Sequence, residues 1–315
     1  MLRSFETAIV EETGAEIETV PVHKFSTYLS SFGHGTNKSR FRPYFPKDNF
    51  DLNADVAWSV LMGPENYKLD SFSGWQKKCK IKVLYIYDTL PAQYPLIRKL
   101  FSDNTWDILI TSFNDAADDL TKLTGRKWHC VAQAADKTNF EPTPLSERLI
   151  HFSSYGRRYP VLHDVLKNFC KSRGLYYDYT THDARHPTAP AEELYRQYGW
   201  HLNHSLFTFS WPVELTNPAR ALHLRPITCR WFEAAAAGTV IIGRAPDNPA
   251  FNDWLSKDLV VPLDPDGDKK ELNYTLGEIW DKRERFFEKA EIMRRQNIER
   301  WSWNHRVKEI QGLLK

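Results

Sequence analysis

Short apolar runs alternate with stretches of helical periodicity along most of this chain. Continuous β-branched and aromatic runs are typical of parallel strands that are buried on both faces. Helical spacing follows several of them, as in Gln93–Phe101 and Asp115–Leu123. The alternation therefore predicts an α/β fold. The predicted strands are Val56–Met62, Ile81–Tyr87, Trp106–Thr111, Trp128–Val131, Leu149–Phe152, Leu175–Tyr179, Leu206–Ser210, Val240–Ile242 and Leu259–Leu263.

A proline-containing connector divides this series of elements. Pro142 and Pro144 disfavour helix before them, and a new strand begins soon afterwards. Strands and helices on both sides of the connector predict two Rossmann-like, doubly wound domains that face a cleft. We expect a first domain over residues 1–142, a second over 147–300 and a terminal helix within 301–315.

The first residues predict a shortened N-terminal domain. Phe5, Ile9 and Val10 have helical spacing, Gly14 ends that pattern, and Ile17–Val22 alternates like a strand. A Rossmann-like domain usually has a strand and a glycine-rich turn before such a helix. Either the sheet begins without its usual first strand, or the chain starts late.

Composition narrows the classes of partner. The chain has 315 residues, which suits two domains, and its 42 Lys and Arg nearly balance its 40 Asp and Glu. This balance gives no reason to expect nucleic acid or an anionic membrane surface. No apolar run approaches the roughly 18 residues of a membrane span, and acids interrupt the N-terminal segment where a signal peptide is apolar. Four scattered cysteines without a C-x-x-C pair indicate reduced thiols, and we expect a cytoplasmic protein.

Glu233 is the lone carboxylate of a segment otherwise suited to burial. Four alanines, Ala234–Ala237, follow it and leave little bulk between their helix and whatever packs over it, and the strand Val240–Ile242 comes next. A buried acid needs a partner. The structural alternatives are a helix N-cap or an ion pair with Arg230, three residues earlier on the same face.

A polar turn at the start of the second domain is suited to phosphate. Ser154 and Gly156 follow a predicted strand, and Arg157 and Arg158 open the helix Val161–Cys170. A helix N-terminus offers unpaired N–H groups, and arginine adds paired donors for diphosphate oxygens. Two ordinary surface arginines beside a turn are the alternative.

Two residues are candidates for acid–base chemistry. Asp88 follows the strand Ile81–Tyr87, and open parallel sheets bind ligands beyond their strand ends. The alternative for Asp88 is an N-cap of the helix Gln93–Phe101. His34 lies in a long loop, Ser30–Asn53, that is either functional or a mobile surface loop, and it is the second candidate base.

No metal site is predicted. His182 and His186 are four residues apart, but nearby prolines argue against the helix that would bring them together. The sequence DPDGD at 264–268 lacks the distal Glu of a calcium loop and is interpreted as a solvated turn.

The run Arg230, Trp231, Phe232, Glu233, Ala234, with Ala236 and Gly238, resembles the R-x-F-E-A-x-A-x-G segment of GT-B glycosyltransferases, most closely the spore-maturation-like group. The segments AQAADKTNFEP and WSWNHRVKEI resemble the exit from the first domain and the terminal helix of that fold. The resemblance implies that the first domain, 1–142, binds the acceptor and the second, 147–300, binds a nucleotide-sugar donor. It also implies that Glu233 binds the ribose of that donor, and that the terminal helix crosses back to the first domain. Families of the retaining type carry a second glutamate eight residues earlier, where this chain has Arg225.

The resemblance implies an enzyme that moves a sugar from a nucleotide sugar, uridine-based by expectation, to an acceptor hydroxyl. It implies no metal and no cofactor besides that donor, because arginines and helix N-termini neutralise the leaving diphosphate. Asn217, Arg225 and Arg230 join the donor-binding candidates. A noncatalytic nucleotide-binding or scaffold protein with the same fold is the alternative, which the shortened N-terminus and Arg225 favour. A nicotinamide oxidoreductase lacks its glycine fingerprint here.

Overall fold

The computed structural model of this protein describes residues 2–17, 54–67, 75–156, 158–180 and 189–314. Apart from the first two residues, contacts divide the chain into two compact units. The first unit is Thr13–Cys130, and the second combines Arg3–Glu12 with Val131–Lys315. Each unit contains a parallel sheet, so the prediction of an α/β fold with two Rossmann-like sheets is confirmed.

The sheet of the first unit has four parallel strands in the order β1-β2-β3-β4. The two inner strands of this sheet are the most buried, because their side chains are apolar on both faces, and Val83, Leu84, Tyr85 and Ile86 are at most 1% exposed. The strands are β1 (Ala54–Leu61), β2 (Cys79–Ile86), β3 (Ile108–Thr111) and β4 (Trp128–Cys130), and the helices are α2 (Tyr94–Phe101) and α3 (Asn114–Thr124).

The sheet of the second unit has five parallel strands in the order β6-β5-β7-β8-β9. The strand order therefore reverses at β5, so β5 and β7 flank a topological switch point, where open sheets of this kind bind ligands. The strands are β5 (Ile150–Ser154), β6 (Tyr177–Tyr179), β7 (Ser205–Ser210), β8 (Val240–Gly243) and β9 (Val260–Pro262).

Helices cover this second sheet, and α1 (Leu2–Thr13) belongs to the same unit through residues 3–12. The other helices are α4 (Pro160–Ser172), α5 (Ala191–Asn203), α6 (Val213–Thr216), α7 (Pro218–Ala221), α8 (Cys229–Ala236), α9 (Ala250–Trp254), α10 (Lys269–Asp281), α11 (Arg283–Asn297) and α12 (Trp303–Gly312). One core cluster joins Phe152, Phe169 and Phe207 to apolar residues of α10 and α11. A second joins Phe140 and Ile241 to the buried side of α8.

The first and last described helices pack on each other. The ring of Phe5 on α1 stacks on Trp303 of α12 at 4.7 Å, and both side chains are at most 1% exposed. Asn304 donates to the Glu11 carboxylate at 2.9 Å. Gly14 ends α1 with a φ of 69°, as predicted. The predicted domain limits stay predictions, as does a terminal helix that crosses to the first domain.

Arg148 joins the start of the second sheet to the end of α8. Its guanidinium donates to the backbone carbonyls of Ser205 at 2.8 Å, Gly238 at 3.1 Å and Ala237 at 3.0 Å. Its Nε donates to the Thr143 carbonyl at 2.9 Å. The last carbonyls of a helix lack partners within the helix, so a buried cation with several donors satisfies them. Burial lowers the pKa of Arg148 to about 10, and the side chain remains charged at neutral pH.

Candidate functional site

The carboxyl ends of β5, β7 and β8 lie side by side in the second unit. Ser154 ends β5, Ser210 ends β7 and Gly243 ends β8, and Ser210 pairs with Gly243. Gly243 has a φ of 152°, and a Cβ there would collide with the Ser210 carbonyl. Glycine at this position therefore lets β7 and β8 approach closely at the edge where ligands bind.

Glu233 lies in the middle of α8 and is 1% exposed. The Tyr195 hydroxyl of α5 donates to Glu233 Oε1 at 3.2 Å. Burial raises the pKa of Glu233 to about 7, while the charge of Arg230 and the hydrogen bond from Tyr195 oppose that rise. Burial and the neighbouring carboxylate raise the pKa of the Tyr198 hydroxyl as well. The carboxylate is therefore enclosed by tyrosine hydroxyls and titrates close to neutral pH.

The position of Glu233 in α8 excludes one of its two structural alternatives. The N-cap of α8 is Thr228, so the N-cap interpretation is wrong. Arg230 acts on the carboxylate through its charge, but its Nη1 donates to the Tyr155 carbonyl at 2.5 Å. Sequence reasoning missed Tyr195 and Tyr198, whose spacing of three residues on one helix was the available signal.

The turn after β5 is shaped by the Arg230 guanidinium. Gly156 has a φ of 86°, and a Cβ at this position would lie 2.5 Å from Arg230 Nη2. The Gly156 N–H donates to Thr180 Oγ1 at 3.2 Å, which ties the turn to the end of β6. The structure thus brings Ser154, Gly156 and Arg230 together at one strand end.

A chain of polar side chains leads from this turn to α5. The Tyr155 hydroxyl donates to Asp178 Oδ2 at 2.9 Å. His201 Nδ1 lies 2.7 Å from the same oxygen, although the two groups are not aligned as a hydrogen bond. Burial, with the Asp178 charge, raises the pKa of Tyr155, so the phenol stays protonated and holds the carboxylate.

Arg158 lies beside the same strand end. It lines a small cavity together with Ser154, and its guanidinium lies 5.1 Å from the centre of the Tyr179 ring. Its Nη1 is buried and has no hydrogen-bond partner within the described part of the chain. Such a nitrogen is a donor available to an anion.

The other predicted residues lie apart from this group or outside the described residues. Asp88 is the second residue after β2 in the first unit, and its N–H donates to the Met62 carbonyl at 2.8 Å. The helix caps after it are Leu90 and Gln93, so the interpretation of Asp88 as an N-cap is wrong. His34 and Arg157 lie outside the described residues.

Asn217 and Arg225 lie in the passage between β7 and α8. Asn217 joins α6 to α7, and its N–H donates to the Val213 carbonyl at 2.7 Å. Arg225 Nη1 donates to the carbonyls of Leu222 at 3.3 Å and Leu224 at 3.1 Å. Leu222 has a φ of 52° and is 58% exposed, so this passage holds a strained, exposed leucine.

The described residues contain no group of three or more His, Cys, Asp or Glu side chains that could hold a metal ion. Asp268 caps α10 by accepting from the N–H groups of Lys270 and Glu271, each at 2.8 Å. Asp264 accepts from the N–H of Asp266 at 3.1 Å, which is the geometry of a turn. His182 and His186 fall outside the described residues. No helix within the described ranges is both long and apolar enough to cross a membrane.

The sequence matches the family described as glycosyl transferase-like over residues 126–312, which is more than half of the chain. This protein belongs to that family. The match includes the whole sheet of the second unit, with Glu233 and the turn after β5. The predicted resemblance to glycosyltransferases is confirmed, and membership supports a sugar-transferring function.

Solved structures similar to this chain include three with TM-scores of 0.47 to 0.48. A glycosyltransferase from Rickettsia africae is 12% identical, with 82% of this chain and 76% of that one covered. Sucrose-phosphate synthase from Thermosynechococcus elongatus is 9% identical, with 82% and 73% covered. Anabaena HepE, solved with UDP-glucose, is 11% identical, with 75% and 72% covered. Among curated proteins, none matches this sequence.

Proposed function

We propose that this protein transfers a sugar from a nucleotide sugar to an acceptor hydroxyl without a bound metal ion. The observation that carries the proposal is Glu233, an ionisable carboxylate buried in α8 of the family-matched unit, three residues after Arg230, which contacts the turn that follows β5. In this proposal the ribose hydroxyls of the donor bond to Glu233. In the structure the Tyr195 hydroxyl donates to that carboxylate, and in this proposal a ribose hydroxyl replaces it as the hydrogen-bond donor.

The diphosphate is proposed to lie at the turn after β5. Arg158 Nη1 is buried without a hydrogen-bond partner among the described residues, and Arg230 already lies over the Gly156 backbone. Two guanidinium groups beside a strand end supply the positive charge that a departing diphosphate needs. Arg157, Asn217 and Arg225 remain proposed donor contacts, and Arg225 brings a positive charge to the passage before α8.

UDP-glucose in the HepE structure supports the choice of a uridine diphosphate as the first ligand to test. We propose Asp88 as the base that accepts the acceptor proton, with His34 as the second candidate. The position of Asp88 just after β2 supports this proposal, because open parallel sheets bind ligands beyond their strand ends. A cytoplasmic location is part of the same proposal.

A noncatalytic nucleotide-binding protein is the second candidate. Arg225 favours it, because it stands where families of the retaining type carry a second glutamate. Turnover of a nucleotide sugar separates the two candidates, since a scaffold binds the nucleotide without consuming a donor.

Titration calorimetry with UDP tests the ribose contact. We expect Glu233→Gln to weaken UDP binding by about 1–3 kcal/mol, because hydrogen bonds to a charged acceptor are lost. Glu278→Gln is the matched control, since Glu278 lies on α10 of the same unit and pairs with Lys282 at the surface. Equal affinity of wild type and Glu233→Gln would remove Glu233 from the nucleotide site.

A further inference from the structure

A groove outside the proposed donor site runs between one face of α5 and the turn that precedes the second sheet. It has a volume of about 270 Å³, and its lining includes Thr138, Asn139, Arg196, Gln197, Trp200 and His201. None of these residues belongs to the proposed donor contacts. Pockets for small molecules usually measure about 300–1,000 Å³, so this groove suits a ligand of one ring.

Trp200 gives the groove a rigid aromatic wall. Its side chain is 50% exposed, yet its indole stacks on the His204 ring at 4.2 Å and meets the His201 ring edge-on at 5.1 Å. His204 is itself held, since its Nδ1 lies 2.7 Å from the Trp200 carbonyl and its Nε2 lies 3.3 Å from Thr143 Oγ1. A large apolar surface is therefore presented in a fixed orientation.

The opposite side of the groove is polar and equally well held. The Asn139 amide donates to the Tyr195 carbonyl at 3.2 Å, and the Asn203 amide donates to the Asn139 carbonyl at 3.0 Å. Gly199 permits this approach, because a Cβ there would lie 2.5 Å from Asn139 Nδ2. The turn therefore packs closely on α5. It places the Thr138 hydroxyl and the Asn139 amide in the groove that Trp200 also lines.

The arginine of the groove is already paired with a carboxylate. Arg196 donates from Nε at 3.0 Å and from Nη2 at 2.7 Å to Glu193 Oε2. Gln197 donates to Glu193 Oε1 at 2.9 Å, and His201 lies 2.7 Å from Asp178 Oδ2. With these charges balanced, the groove has no surplus positive charge with which to select a phosphate or another anion.

We propose that this groove binds one pyranose ring of a neutral saccharide, with the apolar face of the ring on Trp200 and its hydroxyls on Thr138, Asn139 and Gln197. An aromatic face combined with amide and hydroxyl groups complements a sugar, which has one apolar face and a polar rim. The proposal is independent of the transfer reaction, because it uses no residue of the donor site.

Saturation-transfer NMR on the full chain tests this binding. The probes are methyl α-glucopyranoside, methyl β-galactopyranoside and methyl N-acetyl-β-glucosaminide, each added in the presence of saturating UDP to occupy the donor site. We expect at least one probe to give a signal. Trp200→Ala should weaken the affinity for that probe about tenfold, because stacking on an aromatic ring contributes on the order of 1 kcal/mol. Trp200→Phe should largely retain the affinity, because it keeps an aromatic ring.

Two further variants keep the test decisive. Tyr274→Ala removes another exposed aromatic of the same unit, 68% exposed on α10, and is expected to leave binding unchanged. Asn139→Ala removes a polar group of the groove and is expected to weaken binding as well. It tests the proposal by a second route if the Trp200 variant misfolds. Absence of signal from all three sugars, signals that Trp200→Ala leaves intact, or a stronger response to glucuronate than to glucose would each overturn the proposal.

Discussion

Burial makes the charge of Glu233 depend on pH near neutrality. Its pKa of about 7 in the folded chain exceeds the ordinary value of 4.5, so the native state keeps a proton that the unfolded chain has already released between these two values. A proton that binds the native state but not the unfolded chain stabilises the fold. The contribution of Glu233 to stability therefore falls as the pH rises from about 4.5 to about 7, and is constant above that range.

We expect Glu233→Gln to remove this dependence. The free energy of unfolding of the variant, relative to wild type, should rise by on the order of 3 kcal/mol between about pH 4.5 and pH 8, because each pH unit of the window corresponds to about 1.4 kcal/mol. Urea unfolding at several pH values measures the difference. Glu278→Gln, a substitution at the surface of α10, is the control. Parallel profiles of wild type and Glu233→Gln would show that the pKa of Glu233 is the same in the folded and the unfolded chain, and would contradict the prediction.

At the scale of elements, the connection between α8 and β8 depends on a distant side chain. Arg148 precedes β5, yet it satisfies the carbonyls of Ala237 and Gly238 at the end of α8. Arg294 of α11 supports the same end, since its Nε donates to the Ala236 carbonyl at 2.6 Å. The position of α8, and of Glu233 on it, therefore rests on two arginines contributed by other segments.

Replacement of Arg148 tests this support. We expect Arg148→Met to lower the free energy of unfolding by about 3 kcal/mol or more, because several buried carbonyls lose their donor. Arg148→Lys should cost less, since an ammonium retains the charge but reaches fewer carbonyls. Urea unfolding measures both. Arg295→Met is the control, because Arg295 pairs with Glu291 at the surface and should contribute less than about 1 kcal/mol. A loss for Arg148→Met no larger than for the control would contradict the assigned role.

Local sequence patterns predict most of the helices and strands, but not the long-range side-chain contacts that hold α8 in place. Apolar runs located every strand of the two sheets to within a few residues, as with Ile81–Tyr87 against β2 at Cys79–Ile86, because burial on both faces leaves a continuous signal. Gly14 ends the helical spacing of the first residues in the sequence, and it ends α1 in the structure with a φ of 69°. Arg148 and Tyr195 were missed because they contact residues far along the chain. The spacing of Tyr195 and Tyr198 places both on one side of a helix, but it does not show which distant residue they contact.

At the scale of the whole molecule, the two proposed tasks fall in different compact units. Asp88 belongs to Thr13–Cys130, whereas Glu233 belongs to the unit that contains Val131–Lys315. Chemistry at the acceptor and binding of the nucleotide are therefore expected to be separable by single substitutions.

We expect Asp88→Asn to reduce turnover of a nucleotide sugar by about 100-fold or more, as for loss of a general base, with UDP affinity unchanged. Donor hydrolysis and transfer assays, in wild type and variant, measure the first effect, and calorimetry measures the second. Turnover should persist in EDTA, because arginines provide the positive charge. Equal turnover of the two proteins would move the base elsewhere, and loss of activity in EDTA with recovery in Mg²⁺ would contradict metal independence.

The packing of α1 on α12 bears on how the protein can be divided. The family match ends at residue 312 and begins at 126, so it leaves out α1. Phe5, Ala8 and Ile9 are nevertheless at most 5% exposed, and Phe5 covers Trp303. A fragment cut at the limits of the match would uncover a tryptophan and the apolar surface around it, and such surfaces cause aggregation. The region matched by the family therefore omits a helix of the compact unit that contains Val131–Lys315, and a soluble fragment of this unit needs the first helix supplied in cis or as a separate peptide.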